Sequence, residues 1–242
     1  MDKSRGELEN EYLEAFGADG GRAVQIVTNS VCQLYQEWRL FLYFFAGPKE
    51  RVGVLNDASG LTARTLQNTL WDSALIKVRR LTDPSKQRSN ENLSLERLVG
   101  IAQESCKIDL KPAYAELIEK VSHCRKYTDK NLVHRDLRNA LSVQKQTIDL
   151  RTTTDAIRKI GWFVRKFHSL TRDVDYLLMP IAGADDEQRF LLRLHLGNEA
   201  ALESQKESYQ KVRAGDFAAL MKPECPDWIY AKKSKSPSFD FE

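Results

Sequence analysis

Val24-Gln25-Ile26-Val27-Thr28-Asn29-Ser30-Val31-Cys32-Gln33-Leu34-Tyr35-Gln36-Glu37-Trp38-Arg39-Leu40-Phe41-Leu42-Tyr43-Phe44-Phe45 is the stretch on which the fold class turns. Its apolar residues recur at Val27, Val31, Leu34/Tyr35, Trp38, Phe41/Leu42 and Phe45, in steps of three and four. An α-helix, with about 3.6 residues per turn, brings those positions onto one face, whereas a half-buried strand needs alternation by twos. The spacing therefore predicts a long core helix, closed by Gly47-Pro48.

Working outward, residues 3 to 16 have helical composition and Gly17-Ala18-Asp19-Gly20-Gly21 reads as a break before the core helix. On the other side a short helix over 49–58 leads to Ser59-Gly60. A second long helix then runs from Leu61 to Leu81, with Leu66, Leu70, Ala74, Val78 and Leu81 spaced for burial. Thr82-Asp83-Pro84 stops it, because proline disfavours helix at the residue before it. Residues 85–92 are polar and basic, an exposed mobile loop. Ser94 reads as the N-cap of a helix over 95–104. Lys111-Pro112 opens the next helix, whose apolar stripe is Tyr114, Leu117/Ile118, Val121 and Cys124.

Residues 141–150 read as a loop or small hairpin. Thr152 to Thr154 are expected to cap a helix reaching Leu178, buried along Ile160, Val164, Phe167, Leu170/Thr171, Val174 and Leu177. Residues 185–213 are helical with a polar second half, and the proline- and lysine-rich end reads as disordered. The expectation is an all-α fold, a helical bundle of four to five main helices with shorter helices and a flexible C-terminal tail. Its parts are an N-terminal helix and linker (1–21), a helical domain (22–180), a C-terminal helical extension (181–221) and the tail (222–242).

The chain has 242 residues and a 42% hydrophobic share, enough for a well-buried core. No run of residues approaches a membrane span, and the opening Met-Asp-Lys-Ser-Arg-Gly-Glu lacks a secretory apolar core, so a cytoplasmic location is expected. Cys32, Cys106, Cys124 and Cys225 form no C-x-x-C pair, and His123, His134, His168 and His195 are equally scattered. Neither pattern points to a metal site or a cofactor. The net charge of +3 is unevenly spread: residues 120–172 hold thirteen Lys/Arg against four Asp/Glu, while 2–14 hold five acids against two bases. A basic middle favours an anionic partner such as RNA; several helices each with a basic outer face would give the same count.

The chemistry concentrates in Cys124-Arg125-Lys126-Tyr127-Thr128-Asp129-Lys130-Asn131-Leu132-Val133-His134-Arg135-Asp136-Leu137-Arg138. If helical throughout, it sets Lys126, Lys130, His134 and Arg138 on one stripe. A histidine among fixed cations loses proton affinity, while Asp129 and Asp136 pull the other way, so His134 is placed to exchange protons near neutrality. The plain alternative is a solvated helix face. His134-Arg135-Asp136-Leu137 also opens like a kinase catalytic loop, but Leu141 stands where asparagine is needed and no Gly-rich loop or D-F-G exists. Trp38, Trp71, Trp162 and Tyr43-Phe44-Phe45 fall in periodic apolar patterns and read as core packing rather than base-stacking surfaces.

Two segments carry a resemblance: Leu75-Ile76-Lys77-Val78-Arg79-Arg80-Leu81-Thr82-Asp83 followed by a polar loop and Asn92-Leu93-Ser94-Leu95-Glu96-Arg97-Leu98, and Asp129-Lys130-Asn131-Leu132-Val133-His134-Arg135-Asp136. Their order and spacing resemble the HEPN superfamily of helical domains, in its AbiU-like abortive-infection branch, over roughly residues 22 to 178. The second segment is similar to that family's Arg-polar-Lys-x-x-Ala-His-x-Asp. The resemblance implies a metal-independent endoribonuclease, a toxin or phage-defence effector whose two protomers share one cleft. It leaves a catalytically inactive module binding RNA, nucleotide or protein as the alternative. Implied partners are RNA, a second copy of the chain and an antitoxin such as a small nucleotidyltransferase.

By the same resemblance His134, Lys130 and Asp129 take catalytic positions. Arg125, or Arg135, is expected to come from the second protomer, with Lys126, Arg138 and Arg80 meeting RNA. Thr128 occupies the family's arginine position, and threonine cannot neutralise a phosphate. Thr128→Arg is accordingly expected to raise activity.

Overall fold

The computed structural model describes residues 5–133, 147–178 and 185–217, and the architecture over them is all-α. The first helix, α1 (Arg5–Phe45), contains the stretch quoted above and bends at Gly17, whose φ of 72° and ψ of 175° glycine adopts without a Cβ penalty. The break is this single residue, not the five expected. Helix resumes at once because Tyr12 and Phe16 before the bend and Ala23 and Val24 after it all enter one core.

α2 (Lys49–Leu81) breaks at Ser59, where the backbone is extended. Ser59 Oγ accepts the Thr62 N–H at 3.4 Å and so caps the second half, as the Ser59-Gly60 punctuation suggests. The polar loop that follows carries a two-residue antiparallel hairpin, β1 (Lys86–Gln87) with β2 (Asn90–Glu91).

α3 (Leu95–Cys106) starts at the expected place, with Ser94 at the N-cap position. Ser94 is buried in extended backbone and its hydroxyl makes no capping bond; the Glu96 carboxylate accepts the Ser85 N–H at 2.5 Å and ties the preceding loop to the first turn. α4 (Lys111–Thr128) carries Pro112 in its first turn and passes into one π-helical turn, Asp129–Val133, where α-helix was expected to continue.

α5 (Leu150–Arg172) is capped by Asp149, whose carboxylate accepts the Thr152 N–H at 2.7 Å, so the cap lies ahead of the three threonines assigned to it. It also ends six residues before Leu178, at Asp173 in the left-handed region (φ 54°, ψ 40°), which aspartate tolerates better than most residues. The chain turns there so that Tyr176 stacks on His168, ring centroids 4.5 Å apart. Leu177, expected on the buried stripe, is 70% exposed. α6 (Asp186–Arg213) follows.

The core lies among α1 to α5, with α1 against α2 and α4 against α5. Trp38 stacks on Phe41 at 5.0 Å and both meet Trp71, as core residues. Trp162 does not join them. His168 is wholly buried, its Nε2 3.1 Å from Thr28 Oγ1, and burial, with Arg172 nearby, lowers its pKa to about 3. The chain divides into two compact units, residues 1–189 and 190–242. No described helix is long and apolar enough to cross a membrane. The expected loop at 141–146 and tail at 222–242 lie outside the described residues.

Candidate functional site

Two helix C-termini, those of α2 and α4, converge at the segment singled out above, and each brings carbonyls that carry partial negative charge. The side chains there answer that charge. Arg125 Nη1 donates to the Thr82 carbonyl at the end of α2, and its Nη2 lies 3.9 Å from Asp83 Oδ1. Arg79 pairs with Asp83 just past the end of α2 and reaches across to the end of α4, donating through Nε to Asp129 Oδ1 at 2.6 Å. Two guanidiniums and two carboxylates thus tie the helices together. Burial, with Arg79 beside it, lowers the Arg125 pKa from its ordinary value, yet an arginine stays charged throughout any working range.

Both arginines keep a side-chain exposure near one fifth, 21% for Arg79 and 22% for Arg125. Lys126, Lys130 and Arg80 are exposed around the cluster and add positive charge that the two carboxylates do not offset. The arrangement can hold a phosphate by letting guanidinium edges exchange carboxylate for phosphate oxygens, a substitution that suits their planar donor fork.

The structure places Asp129 at the first residue of the π turn and Lys130 at the second, so the stripe drawn at regular α-helical spacing does not hold past Thr128. One-turn π segments are uncommon and gather at functional sites. Asn131 Nδ2 donates to the Tyr127 carbonyl at 2.8 Å within this turn. His134, Arg135 and Arg138 lie outside the described residues; His134 follows Val133 directly in the chain.

Thr128 corrects the expectation attached to it. It has 0% exposure, and its Oγ1 donates to the Cys124 carbonyl at 2.8 Å and reaches the Leu75 carbonyl at 3.5 Å. The position faces the α2–α4 core, so an arginine substituted there meets packed side chains rather than an open cleft. The guanidinium charge near the π turn comes instead from Arg79 and Arg125. Arg79 was legible only as one of an arginine pair at a helix end, since nothing in the spacing shows that α2 crosses the end of α4. Among the described residues, no three His, Cys, Asp or Glu side chains group closely enough to hold a metal ion.

The family model HEPN_AbiU2, described as AbiU2, matches residues 21–190, most of the chain. The chain belongs to the AbiU2 family of HEPN domains. The matched span takes in the long α2, which ends just before Thr82-Asp83, and α4 with the segment after it. No curated protein and no solved structure matches the chain significantly. Membership in an abortive-infection family therefore rests on the family model, and the particular chemistry rests on the residues.

Proposed function

We propose that this AbiU2-family chain is a metal-independent endoribonuclease of the HEPN type, a cytoplasmic toxin or phage-defence effector that acts as a homodimer. The observation that carries the reading is the Arg79–Asp129 bridge. It sets guanidinium charge from α2 beside Arg125, at the start of the turn that leads to His134.

Cleavage needs a base for the 2′-OH proton, an acid for the leaving 5′-oxygen and fixed positive charge on the phosphorane. His134 takes the 2′-OH proton as that oxygen attacks phosphorus. The P–O5′ bond breaks as the 5′-oxygen receives that proton back from the protonated His134, leaving a 2′,3′-cyclic phosphate and a 5′-OH. Arg125, Arg79 and Lys130 supply charge, and Lys126, Arg80, Arg135 and Arg138 hold the flanking phosphates. Asp129 keeps Arg79 aimed until RNA displaces it. In the dimer the α4 segments of two copies face each other, which doubles the cation density over one scissile phosphate. A small nucleotidyltransferase acting as antitoxin fits the same reading.

The catalytically inactive alternative, a module that binds RNA, nucleotide or protein, draws its support from one observation: the family's arginine position is a buried threonine. The two readings part on purified protein incubated with labelled RNA in EDTA. Cleavage that His134→Ala abolishes supports the nuclease; binding without cleavage supports the module.

A further inference from the structure

Trp162 stands 37% exposed on α5 with two ammonium groups against its ring, Lys159 Nζ at 3.4 Å and Lys166 Nζ at 4.9 Å from the centroid. An exposed tryptophan framed by cations is unlike the other described aromatics of its helix, Phe163 and Phe167, which are fully buried. The ring lines a surface cavity of about 610 Å³ whose cations are Arg158, Arg165 and Lys166. Carboxylates do face these groups: Asp175 lies 3.5 Å from Arg165, Asp155 3.9 Å from Arg158, and Glu116 2.8 Å from Lys159. Four cations against three acids leave the patch basic, and Glu116, bonded to Lys159, is shared electrostatically with Lys166.

The floor of this cavity is built by close packing. A Cβ added to Gly161 would lie 1.9 Å from the Tyr35 hydroxyl and 2.7 Å from Leu178 Cδ1, so only glycine lets both side chains pack against the helix beside Trp162. The groove is therefore a fixed recess, not a gap between long side chains.

We infer that Trp162, with Arg158, Arg165 and Lys166, is a stacking platform for an unpaired nucleobase of single-stranded RNA. A base takes the ring face that Lys166 leaves, and the released ammonium joins the two guanidiniums on the neighbouring phosphates. Base–aromatic stacking combined with backbone cations is how single strands are held without sequence preference, and a duplex, whose bases are already stacked, gains nothing from such a ring. The cavity is lined by Tyr35 of α1 and by Tyr176 to Leu178 after α5, while Lys159 beside Trp162 reaches α4: it pairs with Glu116, and Lys120 with Asp155 at 3.2 Å, so α4 and α5 run antiparallel. In that register Trp162 is level with about residue 113, and from there to Arg125 the α4 axis advances about 18 Å, at about 1.5 Å per residue. The platform is thus a subsite remote from the reacting phosphate.

The inference rests on the ribonuclease reading for its choice of RNA among polyanions, and the test separates the two. Full-length His134→Ala protein, which keeps substrate intact, is titrated with a fluorescein-labelled single-stranded oligoribonucleotide and with the same sequence as a duplex, by anisotropy in EDTA. Adding Trp162→Ala should weaken single-strand binding roughly tenfold, within the range measured for one stacked base. Trp162→Phe should retain most of the affinity, and duplex binding should not change. Equal affinity for Trp162→Ala and its parent would overturn the platform. So would loss of binding in Lys166→Glu with none in Trp162→Ala, which marks an ionic surface alone. Wild-type cleavage with Trp162-independent binding removes the platform and leaves the nuclease standing. Trp162-dependent binding without wild-type cleavage keeps the platform and removes the nuclease.

Discussion

At the scale of single residues, Thr128 and His168 show opposite uses of burial. Thr128 sits wholly inside the α2–α4 contact with its hydroxyl satisfied by helix carbonyls. Placing a guanidinium there leaves a buried charge without a designed partner, which costs roughly 3–5 kcal/mol where it has been measured. Thr128→Arg is therefore expected to lower Tm markedly and to add no cleavage per folded molecule, with calorimetry and a cleavage assay as the check. His168 is buried neutral, its folded pKa of about 3 lying below the unfolded value of 6.5. As pH falls below 6.5 the unfolded chain takes up a proton that the folded one refuses, so stability declines toward pH 3, by at most about 1.4 kcal/mol per pH unit from this one group. Urea melts between pH 7 and 4 should show a shallower loss in His168→Phe than in wild type, after correction for its different starting stability.

At the scale of elements, the π turn over Asp129–Val133 sets the phase in which the chain leaves α4. Deleting Asn131 would let that turn close with α-helical bonds and rotate the following residues by about 100° relative to Arg79 and Arg125. The expected result is loss of RNA cleavage with a Tm change of only a few degrees, because few buried side chains lie in the turn. Unchanged cleavage would detach the turn from function. This device was not legible in the sequence, since Asp129-Lys130-Asn131-Leu132-Val133 carries no proline or glycine to mark a change of helix type. Val24 to Phe41 was legible because core packing and helical period agree there; at the end of the stretch Phe44 is buried off the period while Phe45 is half-buried. The end of α5 was misread for the converse reason: Val174 and Leu177 continue the apolar period by position, while Asp173 turns the chain and Leu177 faces solvent. Trp162 was misread on the same ground, being in period with a buried stripe but one residue off its centre line, where Gly161 rather than the ring meets the neighbouring helix.

At the scale of the molecule, the described cluster is close to charge balance: Arg79 and Arg125 face Asp83 and Asp129. One protomer therefore offers little surplus charge beyond Lys126, Lys130 and Arg80, and two α4 segments facing each other would supply the rest. Light scattering at micromolar concentration is expected to give twice the chain mass, and a monomer would speak against a shared cleft. The candidate site was legible in the sequence as a segment but not as a constellation. Its α4 half lies in one run of residues, whereas Arg79 and Asp83 come from about fifty residues earlier, joined only by the crossing of α2 and α4.

The claim on which the account rests is that cation-assisted transphosphorylation through His134 cuts RNA without a metal. Labelled RNA incubated with the full-length protein in excess EDTA, followed by analysis of the product ends, tests it most directly. The account predicts fragments ending in 2′,3′-cyclic phosphate and beginning with 5′-OH, and a fall of about 10²–10⁴-fold in their rate for His134→Ala at unchanged Tm. Intact RNA under these conditions, or cleavage that persists undiminished in His134→Ala, would contradict it.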